Sequence, residues 1–174
     1  MIQELIDAFD RDITTCLIET NSELIEVYDR YDGPQNERRC YIKSEDNHPV
    51  HFELKNPTAA NVVFAALDNC IFSTQDQSRC DFSIGNFQKL YFIEIKQVKR
   101  GQRSSARKDA IQQLRSAISI FREKIDLNQT QLIAVIALKA RQVYPLQSAT
   151  RVAEMVAFKE DFNASLMEGQ SHTF

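Results

Sequence analysis

The segment Leu132-Ile133-Ala134-Val135-Ile136-Ala137-Leu138 has no polar face. A half-buried strand leaves every second side chain to water, whereas this run is apolar on both sides. Its seven residues fall far short of the 18 or so that a membrane-spanning helix needs. The wider segment 130–140 therefore reads as a strand covered above and below, which demands a layered fold. With a second β-prone segment at Leu90–Lys96 and helical periodicity elsewhere, the expectation is an α/β fold. Its form is a central mixed β-sheet flanked by helices on both sides. At 174 residues, with neither an internal repeat nor a linker-like stretch, the chain is one domain, 1–174.

The other elements follow from spacing. Ile2, Leu5, Ile6, Phe9, Ile13 and Leu17 recur at three and four, so residues 2 to about 30 read as helix, with a break at Asn21-Ser22. Asp32-Gly33-Pro34 ends that pattern with a turn. Short strands are expected at 39–44 and 49–54 around Glu45-Asp46-Asn47-His48, and the apolar segment 60–67 is either a short buried helix or, the preferred reading, a strand at 61–66. Cys80 to Ile84 alternates, Gly85-Asn86 is turn chemistry, and Leu90 to Lys96 completes a hairpin. Ser104 or Ser105 can cap a helix to about Lys124 whose apolar stripe is Ala110, Ile111, Leu114, Ala117, Ile118 and Phe121. Tyr144-Pro145 breaks the chain, and 150–168 closes it as a helix or a strand–helix pair.

Composition narrows the function classes. Hydrophobic residues at 43% and charged residues at 26% exclude disordered, collagen-like and low-complexity chains. Cys16, Cys40, Cys70 and Cys80 form no CxxC pair, and His48, His51 and His172 no HxxxH, so a zinc site is not expected. The cysteines sit among core-type neighbours and are expected as reduced thiols, as in a cytosolic protein. Glu4, Asp7 and Asp10 stand where a secretory leader would be basic and then apolar, so the expected location is cytoplasmic, without membrane.

The strand Leu90–Lys96 breaks its own pattern. Leu90, Phe92, Glu94 and Lys96 share a face that ends in a carboxylate and an ammonium. A charged group buried without a partner costs several kcal/mol, so strand interiors seldom carry such groups idly. With a four-residue connection at Gly85–Gln88, Ile84 pairs with Lys89 and Asp81 falls opposite Phe92. Asp81 then shares the face of Glu94 as its diagonal neighbour, near enough for two carboxylates to meet over one ion. Magnesium suits that set, because it takes one or two carboxylates and keeps waters and phosphate oxygens for the rest. The adjacent Lys96 can orient or deprotonate a water and offset phosphoryl charge. The bland alternative is an intrastrand ion pair on a solvated face.

Asp81, twelve residues, then Glu94-Ile95-Lys96 resembles the PD-(D/E)XK, or restriction-endonuclease-like, nuclease superfamily. The text Arg79-Cys80-Asp81-Phe82, Tyr91 to Lys96 and Gln112-Gln113-Leu114 is similar to small bacterial members, over roughly residues 50 to 140. The resemblance implies a restriction-endonuclease-like core and an Mg²⁺- or Mn²⁺-dependent nuclease that hydrolyses DNA phosphodiester bonds. Restriction, phage defence or repair is the implied setting. It assigns Asp81, Glu94 and the Ile95 carbonyl to the metal, and Asp81, Glu94, Lys96 and Gln113 to catalysis. A further acid, Glu19 or Glu23, is implied from the first helix. Cys80 replaces the proline of the family pattern, and a second E-x-K, Glu53-Leu54-Lys55, lacks an upstream Asp hairpin and reads as a strand end. Asp68 is a turn residue or an extra ligand.

Charge is concentrated. Net charge is −3, yet Lys96 to Lys108 holds six basic residues and no acidic one. Lys99, Arg100, Arg103, Arg107 and Lys108 lie between the E-x-K strand and the first turns of the next helix, where they can hold DNA phosphates. Asp109 beside Lys108 can attract Arg107, which marks Arg107 and Lys108 as the pair more suited to structure. The alternative function is a catalytically inactive nuclease-fold protein that binds nucleic acid or acts as a regulatory partner. So small a chain leaves target recognition to a homodimer or a partner protein.

Overall fold

The computed structural model describes residues 1–9, 12–31, 34, 38–44, 47–72, 79–98, 102–139 and 149–174. Ten strands and three α-helices are found among them: α1 (Ile2–Ala8), β1 (Leu17–Thr20), β2 (Leu24–Asp29), β3 (Cys40–Ile42), β4 (Phe52–Lys55), β5 (Val62–Ala66), β6 (Phe82–Gly85), β7 (Lys89–Gln97), α2 (Arg103–Lys124), β8 (Gln131–Lys139), α3 (Ala149–Phe162), β9 (Ala164–Glu168) and β10 (Ser171–Thr173).

The class is α/β, and its layers differ from expectation. The main sheet has six strands in the order β1-β5-β6-β7-β8-β9, and a second sheet has the order β10-β4-β2-β3. β1, β5, β6 and β7 pair antiparallel, whereas β7, β8 and β9 run parallel. Parallel neighbours need crossovers, which α2 and α3 supply. On one face of the main sheet Leu90, Phe92, Leu132, Ala134 and Ile136 pack with Leu114, Ile118, Phe121 and Phe158 of the helices. On the other, Phe64, Phe82, Tyr91, Ile93 and Val135 pack with Ile25, Val27, Phe52 and Leu54 of the second sheet. Helices therefore cover one face and a sheet covers the other, correcting the expectation of helices on both. β8 is buried on both faces, as its composition requires. The ring of Phe121 meets Phe92 edge-to-face at 5.0 Å; truncating such a buried Phe costs about 3–5 kcal/mol.

The expected first helix is also corrected. Among the described residues of that stretch only Ile2–Ala8 is α-helical, a short 3-10 turn occupies Thr14–Cys16, and β1 and β2 follow. Asp12 Oδ1 accepts from Thr14 N at 3.0 Å and Thr14 Oγ1 at 2.6 Å, which shapes the turn before β1. In β2, Ile25 and Val27 are buried between the more open Leu24, Glu26 and Tyr28, so period two prevails where a helical spacing was also present. The strands expected near 39–44, 49–54 and 61–66 are β3, β4 and β5. The turns expected at Asp32-Gly33-Pro34, Glu45-Asp46 and Tyr144-Pro145 lie wholly or largely outside the described residues.

Cys16 and Cys70 form a disulfide across 54 positions, which corrects the expectation of four reduced thiols: spacing along a chain does not show which sulfurs the fold brings together. Cys40 and Cys80 are free and buried. No helix among the described residues is long and apolar enough to cross a membrane.

Candidate active site

The β6–β7 hairpin is tighter than its expected four-residue connection. Gly85 pairs with Leu90, Ile84 with Tyr91 and Ser83 with Phe92. Asn86 N donates to the Lys89 carbonyl at 2.9 Å, while Asn86 Oδ1 accepts from Gln88 N at 2.9 Å and Lys89 N at 3.1 Å. The register shifts by two residues, which preserves the alternation, so Asp81 lies level with Ile93–Ile95 and not opposite Phe92. Its N–H donates to the Ile93 carbonyl at 3.1 Å, and its Oδ2 accepts from Ile95 N at 2.5 Å.

Four expected residues come together. Lys96 Nζ stands 2.6 Å from Glu94 Oε1 and donates to Gln113 Oε1 at 2.6 Å. Gln113 Nε2 donates to the Arg79 carbonyl at 2.9 Å. Gln113 is half-buried beside the α2 stripe, whereas Gln112 is exposed. Glu94 is only 2% exposed, and its Oε2 is buried with no hydrogen-bond partner among the described residues. An orphaned buried carboxylate oxygen of this kind needs an explanation.

Electrostatics marks the same cluster. Burial pushes the Glu94 carboxyl up to about 7; the neighbouring Lys96 opposes this, and the charges of Asp68 and Asp29 add to it. The Asp81 carboxyl is raised well above its ordinary value, first by removal from water, then by Glu94 and Asp29, against the Ile95 N–H. Strong perturbation by burial and by specific partners is a mark of functional sites.

Asp29, closing β2, and Asp68 are thus the further acids near the site. Asp68 is held by Arg79 Nε at 2.5 Å. The helical spacing expected over 2 to about 30 hides Asp29; the alternation of Ile25 and Val27 is the signal that reveals its strand. Glu19 lies exposed on β1 and Glu23 exposed between β1 and β2, neither on a helix. The second E-x-K ends β4 in the other sheet, with Glu53 bound by Ser171 Oγ at 2.8 Å. Among the described residues no group of three or more His, Cys, Asp and Glu is placed to hold a metal. Asp81, Glu94 and a carbonyl make a smaller set, within the habit of magnesium. The N–H and carbonyl of one strand residue point the same way, so the Ile95 carbonyl is directed toward the Asp81 side.

The basic block divides. Arg107 is buried and paired with Glu154 and, through Nε at 2.6 Å, with Glu168. Asp109 is not among its salt-bridge partners, which corrects that expectation. Arg103 Nη2 stands 3.9 Å from Glu168, and Lys108 is exposed. Lys99 and Arg100 lie outside the described residues. Comparison of the whole chain with protein families, curated proteins and solved structures finds no match in any of the three.

Proposed function

We propose that this chain is an Mg²⁺- or Mn²⁺-dependent nuclease with a restriction-endonuclease-like core, hydrolysing phosphodiester bonds of DNA. The observation that carries the reading is the meeting of Asp81, Glu94, Lys96 and Gln113 at one end of β7, where Asp81 is bound to Ile95 N, Lys96 bridges Glu94 Oε1 and Gln113, and Glu94 Oε2 is left unpartnered among the described residues. The succession of Asp81 before β6, the E-x-K in β7 and a helix directly after it supports the same reading.

Asp81 and Glu94, with the Ile95 carbonyl, would hold the cation. When bound, the metal acidifies a water and polarises a phosphoryl oxygen. Asp81 is positioned by the Ile95 N–H, so its second oxygen is left for the ion. Lys96 Nζ, held between Glu94 and Gln113, is placed to orient a water through an N–H and to offset charge on the phosphoryl oxygens. Gln113 fixes that ammonium and is itself fixed by the Arg79 carbonyl. Lys99, Arg100 and Lys108 supply sequence-independent phosphate contacts at the entrance to α2.

Plasmid, linear duplex, single-stranded DNA and RNA incubated with Mg²⁺, Mn²⁺ or chelator test this. Metal-dependent DNA cleavage that Glu94→Gln abolishes is the expected result. No cleavage of any substrate by folded, metal-supplied protein would overturn it in favour of a binding role.

A further inference from the structure

The turn Leu67–Ile71 is tied down at both ends. Leu67 N and Asp68 N both donate to the Asp81 carbonyl, at 2.9 and 3.2 Å. Cys70 is bonded covalently to Cys16, just before β1. Between these anchors Asn69 sits in the left-handed region at φ 53°. Its amide donates to Asp68 Oδ2 at 3.1 Å and to the Arg38 carbonyl at 2.9 Å. Asp68 Oδ1 takes Arg79 Nε at 2.5 Å, the Arg79 carbonyl takes Gln113, and Gln113 takes Lys96. A path of covalent and hydrogen bonds runs from the disulfide to Lys96, with a branch to Asp81.

A turn outside the sheet ladders opens more readily than core strands, and this one is constrained by a cross-link that closes a long loop. We propose that Cys16–Cys70 is a thiol–disulfide clamp on the candidate site, with Asp68 the positioning residue through which it acts. Oxidised, the turn seats Asp81 and Arg79; reduced, it releases them. The proposal rests on the reading of Asp81, Glu94 and Lys96 as one cation-binding site.

The exchange chemistry balances with a dithiol reductant. Cys70 is partly exposed and Cys16 is buried, so the reductant's thiolate attacks Cys70 Sγ. The Cys16–Cys70 bond breaks, its electron pair leaves on Cys16 Sγ, and that sulfur takes a proton. The second thiolate of the reductant then attacks the mixed disulfide and expels Cys70 as a thiolate. Arg39 Nη1 lies against Cys70 Sγ, and its cation favours that departing thiolate. Once Cys70 is protonated, two electrons and two protons have passed from the dithiol, which becomes a disulfide. A disulfide oxidant reverses the steps.

The test uses the full chain in native buffer: oxidised wild type, the same protein after excess dithiothreitol with thiols counted by alkylation, and Asp68→Asn in both redox states. Hydrogen exchange should rise on reduction in peptides covering 67–72 and 79–81, while α2 and β8 keep their protection. Manganese affinity by calorimetry should fall about tenfold, the usual scale for loss of an outer-shell partner, and reoxidation should restore it. Oxidised Asp68→Asn should show the same fall, with no second fall on reduction. A reduced wild type with the oxidised protein's affinity and exchange would overturn the clamp, as would a disulfide that reacts only on unfolding. A second full fall in reduced Asp68→Asn would remove Asp68 as the route. Should oxidised wild type bind no manganese, the cation-site reading fails, and the exchange measurement alone decides: unchanged exchange at 79–81 overturns the clamp and raised exchange upholds it.

Discussion

The carboxylate of Asp81 takes the backbone N–H of Ile95, the residue between Glu94 and Lys96, at 2.5 Å. A side chain thus occupies a place where a strand neighbour's carbonyl would ordinarily accept. The contact locks one carboxylate oxygen to the strand that carries the other three candidate groups of the E-x-K motif, and so fixes the geometry of the pair without any ion.

Metal-free protein should lose stability as pH rises from about 4.5 to about 7. Folded Glu94 keeps its proton up to about 7, from an ordinary value of 4.5, whereas the unfolded chain has already lost it. The native state binds more protons in that window, so stability falls with rising pH across it. The size is about 3 kcal/mol, and the raised Asp81 carboxyl acts in the same direction. Urea midpoints should be higher at pH 5 than at pH 8, with Glu94→Gln flattening the difference. A cation must displace that proton, so manganese affinity should climb between pH 6 and pH 8. A flat profile for the wild type would show Glu94 to be ionised throughout.

Lys96→Met should lower cleavage by at least about a hundredfold and leave manganese binding at pH 8 intact, because the ammonium lies against Glu94 without being a ligand. Gln113→Ala, which frees the same ammonium, should cost about tenfold in turnover. Parental turnover in Lys96→Met would exclude the lysine from the chemistry.

Gly85→Ala should damage the site from a distance. Gly85 has φ +152°, and a Cβ there would meet the Lys89 carbonyl oxygen at 2.2 Å and Leu90 Cα at 2.8 Å. Both neighbours are backbone of the same hairpin, so neither can move alone. The expected loss is about 3 kcal/mol or more, together with a slipped Gly85–Leu90 register that would carry Asp81 away from Ile95. Denaturation midpoints and manganese titration should fall together; a parental midpoint would contradict this reading of the hairpin.

What the sequence makes legible follows from how local each signal is. β8 and the α2 stripe are written in composition and period, and both are found where expected. The Glu94–Lys96 face follows from strand alternation, and Asp81 keeps its side because a shift of two residues preserves parity. The start of the chain is less legible because Ile2, Leu5, Ile6 and Phe9 set a helical spacing that Ile13 and Leu17 continue by coincidence. That coincidence hides Asp29 and sets Glu19 and Glu23 on an expected helix where β1, β2 and their connection stand instead. The second sheet and the Cys16–Cys70 bond depend on contacts between distant segments, which no window of sequence contains.

The basic block should separate into structural and phosphate-binding members. Arg107 is buried against Glu154 and Glu168, and removing one partner of a buried pair costs about 3–5 kcal/mol because the other charges are left without compensation. Arg107→Ala should therefore unfold at much lower urea. Lys108→Ala, at an exposed position, should stay within about 0.5 kcal/mol of the parent. Arg103 shares Glu168 at 3.9 Å, so its substitution mixes the two effects and is a poor probe of DNA contact. Lys99 and Arg100 are the cleaner pair. Each phosphate they neutralise contributes about −0.9 to the slope of log K against log salt on duplex DNA. Lys99→Ala/Arg100→Ala should weaken binding alike across unrelated sequences and flatten the slope by up to roughly two. Measured with Glu94→Gln in chelator, so that no substrate is consumed, an unchanged affinity and slope would leave the block as a solvated surface and move the search for the DNA path elsewhere on the molecule.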